Sequence, residues 1–156
     1  MQVARCALAF DVGSKRVGVA VGNTLSYTAR PLRVLEAADE HALFARVDEL
    51  IREWRPDCLL VGEPLTLEGT EQPATLRARR FAARLSSRFD LPVHLIDERS
   101  SSKEADRRFA QARADGRARR RDAALQDAVA AQIILERWLD AGAPLFPPAP
   151  SITPHG

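Results

Sequence analysis

The chain has 156 residues, 46% of them hydrophobic, and a net charge of +2. That length suits one domain with a core that needs no disulfide or metal staple, and no stretch approaches the ~20 apolar residues of a membrane span. Two cysteines, Cys6 and Cys58, lie in separate apolar runs without CxxC spacing, and His41, His94 and His155 are scattered; no zinc site is expected and the cysteines are expected to be reduced core residues.

Residues 4–10 are mostly apolar and predict a buried strand ending at Asp11. An acid and a glycine follow this run instead of a small-residue cleavage site, so it is read as a strand rather than a secretory signal, and a cytoplasmic location is expected. Gly13-Ser14-Lys15 is turn chemistry, and the valine-rich stretch from Arg16 to Gly22 predicts a strand returning antiparallel. A third strand is expected from Arg30 to Leu35.

The period then changes. Leu43, Phe44, Val47, Leu50, Ile51 and Trp54 recur at helical spacing between Glu40 and Arg55, and Pro56 stops that helix. Cys58 to Gly62 is a short continuous apolar run, as in a strand covered on both faces. A loop containing Pro64 and Gly69 leads to a helix from Pro73 to Phe89, then to a buried strand from Val93 to Ile96, closed by Asp97-Glu98-Arg99. A helix is expected from about Lys103, capped by Ser100 to Ser102. A last helix is expected from Asp122 to Asp140. The order β-β-β-α-β-α-β-α-α predicts an α/β fold. Its mixed five-stranded sheet joins a three-strand antiparallel meander to two parallel strands, with helices flanking it. One domain is expected over residues 1–141, followed by a proline-rich, disordered tail over 142–156.

Each of the three buried strands ends in an acid: Asp11, Glu63 and Glu98. If these strands are parallel, their carboxyl ends meet at one edge, where open α/β sheets place ligands. Asp127 sits on the helical face that holds Ala123, Ala124, Ala130, Ala131, Ile134 and Trp138. A carboxylate on that face must be compensated, by an arginine or, if the other acids converge there, by a metal ion. Clustered carboxylates repel unless cations lie among them. Oxygen ligands without histidine or cysteine suit hard ions, Mg²⁺ or Mn²⁺, and two such ions can hold a scissile phosphate.

Four segments, FDVGSKRVGVAVG at 10–22, VGEPLTLEGTEQP at 61–73, LIDERSSSKEA at 95–105 and DAVAAQIILERWL at 127–139, together resemble the YqgF/RuvX family. That family is described as pre-16S rRNA nucleases and was formerly termed Holliday-junction-resolvase-like. The resemblance implies an RNase H-like fold. It implies that Asp11, Glu98 and Asp127 are the catalytic, metal-holding acids of a two-metal-ion hydrolase that matures the 5′ end of pre-16S rRNA. Glu63 departs from the family pattern, and is either a supplementary ligand or a solvated loop acid.

Arg113, Arg117, Arg119, Arg120 and Arg121 fall within eleven residues. They form either a solvated loop or an electrostatic grip on substrate phosphates. Lys15 and Arg16 are candidates for phosphate contact, and Arg99 for contact with phosphate or with the acids. The expected partner is nucleic acid, pre-rRNA or branched DNA, bound by a monomer or homodimer that engages no membrane. The alternatives are a Holliday junction resolvase and a non-catalytic RNA-binding transcription or assembly factor. A phosphotransferase is less favoured. The DVGSKRVGVAVG hairpin is similar to the phosphate-binding hairpin of the sugar kinase and actin superfamily, whose members usually need two such domains.

Overall fold

The computed structural model describes residues 5–98 and 122–144. The expected helix near Lys103, the arginine run at 113–121 and the tail beyond Pro144 lie outside the described residues.

Strands β1 (Cys6–Val12), β2 (Arg16–Asn23) and β3 (Thr28–Glu36) form the antiparallel meander. Helix α1 (Glu40–Trp54) leads to β4 (Cys58–Glu63), and helix α2 (Pro73–Arg88) leads to β5 (Val93–Asp97). Both β4 and β5 join in parallel, giving the sheet order β3-β2-β1-β4-β5. Helix α3 (Asp122–Asp140) follows. The expected meander, crossovers and mixed five-stranded sheet are all present.

Local chemistry sets the helix ends. The Asp39 carboxylate caps α1 by accepting from the His41 and Ala42 amides. Arg55, at φ 46°, turns the chain out of α1 ahead of Pro56. Pro73 opens α2, where a free amide would be an orphan in any case. The Thr75 hydroxyl at the same end accepts from Gln72 and donates to the Pro64 carbonyl, which pins the β4–α2 loop.

Strand alternation divides the core into two unlike layers. Leu8, Phe10, Val17, Val19, Val21, Leu59 and Val61 point to one face and pack against α1 and α2. Ala7, Ala9, Ala20, Cys58 and Leu60 point to the other, where α3 lies. The α3 side of β1 and β2 is thus built of small residues, and a helix can come very close. At Gly18 a Cβ would stand 1.9 Å from the Asp127 carbonyl oxygen. Ala131, Ile134 and Trp138, expected on the apolar face of α3, are buried there.

Beyond α3, the composition of the chain places Gly142, Ala143 and Pro144 in the disordered tail, but the structure fastens them to the domain. Ala143 is buried, its carbonyl accepts from Arg5, and the Pro144 carbonyl accepts from the Trp138 indole at 2.8 Å.

Candidate active site

The site is at the carboxyl end of β1, on the α3 face. Asp11 follows Ala7 and Ala9 by the two-residue period and therefore faces α3. Its partner across β2 is Gly18, against which the backbone of Asp127 packs. On the other side Phe10 pairs with Val61, so the next step of the register sets Gly62 beside Asp11. Glu98, just past β5 and in phase with Ile96, reaches over Gly62; a Cβ there would lie 2.7 Å from the Glu98 carboxyl carbon. The two glycines leave the space in which acids from separate parts of the chain approach each other.

Asp11 and Glu98 share a hydrogen bond. Burial pushes the Asp11 carboxyl up to about 6; the nearby charge of Asp127 adds to the rise and the bond to Glu98 opposes it. Glu98 is pushed up to about 9, first by burial, then by the charge of Asp11 and the bond it donates to Asp11, with Arg137 acting the other way. Both carboxyls therefore hold protons more readily than in water, with Glu98 the donor and Asp11 the acceptor of their shared bond.

Asp127 is within electrostatic reach of Asp11, but its Oδ2 accepts from Arg16 Nε at 2.8 Å. Arg16, a candidate for phosphate contact in the sequence, is thus paired with an acid of the candidate site. Lys15 is exposed at the β1–β2 turn. Among the described residues no three metal-ligating side chains stand as a finished metal site. The acids form a hydrogen-bonded pair with a third carboxylate beside them. The donor set nonetheless fits a hard divalent cation: oxygen only, with Glu98 buried and Asp11 and Asp127 half-buried, and holding a proton that such a cation would displace.

Glu63 lies apart from this pair. It falls in phase with Leu59 and Val61 on the opposite face, where its carboxylate accepts from Arg79 of α2 at 2.6 Å. It is neither beside Asp11 nor a solvated loop acid. Arg99, Arg113, Arg117, Arg119, Arg120 and Arg121 lie outside the described residues. Sequence reasoning missed Gly18, Gly62, Arg79 and Arg137. For the glycines a signal existed, since strand parity places both on the face of Asp11.

Comparison with known proteins agrees with this architecture. The RuvX family, described as "Holliday junction resolvase", matches residues 5–141. Proteins named "Putative pre-16S rRNA nuclease" from Xanthomonas axonopodis pv. citri and Xanthomonas oryzae pv. oryzae are 54% and 55% identical over 134 residues, 86% of this chain and 86% of each relative. Among solved structures, T. thermophilus RuvC in complex with Holliday junction substrate superposes with a TM-score of 0.52 at 20% identity, covering 88% of this chain and 96% of that one. The Fowlpox virus resolvase bound to Holliday junction DNA gives a TM-score of 0.52 at 10% identity, covering 89% and 99%. At these identities the structural likeness speaks for the fold, which is RNase H-like. With nearly its whole length matched by the family and more than half of its aligned positions shared with the Xanthomonas proteins, the chain belongs to the RuvX family.

Proposed function

We propose that this chain is a metal-dependent nuclease that hydrolyses phosphodiester bonds in the 5′-end maturation of pre-16S rRNA. The observation that carries the reading is the Asp11–Glu98 pair, Glu98 buried and Asp11 half-buried, with Asp127 beside it, at the carboxyl edge of the sheet. Two buried carboxyls in contact are unfavourable unless a proton or a cation lies between them. The names of the Xanthomonas relatives supply the substrate class.

Asp11, Glu98 and Asp127 would hold Mg²⁺ or Mn²⁺, in the two-ion arrangement proposed for this reaction. When bound, such ions supply water activation and charge neutralisation on the scissile phosphate. The rest of the work belongs to the chain. Asp11 and Glu98 would hold the cation in place of the proton they share. Arg16 keeps Asp127 in place and neutral in sum. The Gly18 contact fixes how near α3 comes to β1. No protein nucleophile is needed.

The test is cleavage of single-stranded pre-16S precursor with Mn²⁺. Asp11→Asn is expected to lower turnover by more than about 100-fold, beyond the ~10–100-fold typical of disturbing a group outside the metal's own ligands, while RNA affinity is retained. A variant that cleaves at the wild-type rate would refute the role of Asp11. A second reading, resolution of four-way DNA junctions, is favoured by the family description and by the resolvase neighbours. It requires the same acids, so substrate choice separates the two. Cleavage of branched DNA alone, by a protein whose solution mass is that of a dimer, would select it.

A further inference from the structure

A cleft of about 200 Å³ opens on the other face of the sheet, directly behind the acids. Its edge includes Gly13 and Ser14 of the β1–β2 turn, and its floor is apolar, with Val17, Leu43 and Phe81. Asp11 faces α3 while the adjacent Val12 lines this cleft, so a single step along β1 separates the two sites.

One wall is α2, which contributes Arg77, Arg80 and Arg84. The arginines of this helix divide into two groups. Arg79 is held by Glu63 and Glu71, Arg84 by Glu40, and Arg88 lies over the Phe44 ring. Arg77 and Arg80 have no carboxylate partner among the described residues, and both line the cleft. Two uncompensated guanidinium groups over an apolar floor suit a ligand with one anionic end and one flat apolar end. The volume is below the ~300 Å³ at which drug-sized pockets begin, and so suits one small moiety.

We propose that this cleft holds one nucleotide of a single-stranded nucleic acid substrate, with its phosphate on Arg77 and Arg80 and its base over the apolar floor. The proposal rests on the reading that the chain acts on nucleic acid. It assigns the path of the strand: across the carboxyl end of β1, from the acids over Gly13 and Ser14 into the cleft. A base enters such a cleft only when it is unstacked from a partner strand, so the site favours single strands over duplex.

The experiment measures binding of a labelled single-stranded RNA of about 12 nucleotides, within the ~4–16 nucleotide range of single-strand grooves, without divalent metal so that no cleavage intervenes. Arg77→Gln with Arg80→Gln is expected to weaken binding about tenfold or more and to flatten the salt dependence by roughly 0.7 for each phosphate no longer neutralised. The control removes the same charge at exposed Arg33 and Arg46, which do not line the cleft. An equal loss in the control would reduce the effect to net charge and overturn the proposal. With the unaltered chain, 4-thiouridine RNA is expected to photocrosslink to α2 or to the β1–β2 turn; crosslinks confined to other segments also overturn it. If the double variant loses RNA binding but the unaltered protein cleaves no precursor with Mn²⁺, the cleft stands and the nuclease reading falls. If the protein cleaves and the double variant binds normally, only the cleft assignment fails.

Discussion

Asp11 and Glu98 make the protein's stability depend on pH in an unusual direction. Both carboxyls are raised in the folded chain, to about 6 and about 9. An unfolded chain releases the same protons at about pH 4. Between those values the folded state binds more protons than the unfolded one, so this pair destabilises the fold increasingly as pH rises through about 6 toward about 9. The effect is absent below about pH 4, where both states are protonated. In metal-free protein, Glu98→Gln is therefore expected to gain thermal stability relative to wild type as pH goes from about 5 to about 9. Melting curves at matched ionic strength test this, and a pH-independent difference would show that the pair is not coupled as described. A divalent cation acts against the same destabilisation by displacing the proton, so added Mn²⁺ should raise the melting temperature of wild type more at about pH 8 than at about pH 5.

Helix α3 is the element that completes the site, and Gly18 decides where it lies. The helix backbone at Asp127 occupies the space a Cβ would take at Gly18. Gly18→Ala is therefore expected to push the two elements apart, at the upper end of the ~1–3 kcal/mol range for overpacking. It should carry Asp127 away from Asp11 as well, and so lower cleavage at temperatures where the variant is folded. Urea denaturation followed by cleavage assays checks both; an unchanged midpoint would show that the contact is slack. Gly62 has the same role for Glu98, whose carboxyl oxygen would lie 2.8 Å from an added Cβ. Thus the glycine at the end of DVGSKRVG and the one in VGEP are the spaces in which the acids are lodged, beyond any part they play in turns.

Across the whole molecule, the sheet separates a bulky hydrophobic layer under α1 and α2 from a tighter layer under α3, and the site belongs to the second. Among the described residues no helix is long and apolar enough to cross a membrane. Net charge is only +2, so any long-range attraction to nucleic acid must come from local groups of arginine. Replacing Arg117, Arg119, Arg120 and Arg121 with glutamine is expected to weaken RNA binding about equally for all sequences and to reduce the salt slope by roughly 0.7 per phosphate released. Affinity measured at several salt concentrations tests this; an unaltered slope would make the run a solvated segment.

The order of elements, the split into meander and parallel strands, and the kinship with a nuclease family were all legible in the amino-acid sequence. These follow from hydrophobic period, turn residues and motifs, which act over short stretches of chain. Asp11, Glu98 and Asp127 could be named as candidate site residues for the same reason, each standing in a motif. The role of Glu63 was not, although it too ends a buried strand. It lies one residue out of phase with Gly62, and a strand's two-residue alternation sends it to the opposite face and to Arg79. Nor could the sequence show that Arg16 reaches Asp127, which stands 111 positions away. Partners so far apart in sequence are chosen by strand register and by how closely a helix can approach a glycine, and both are properties of the packed chain.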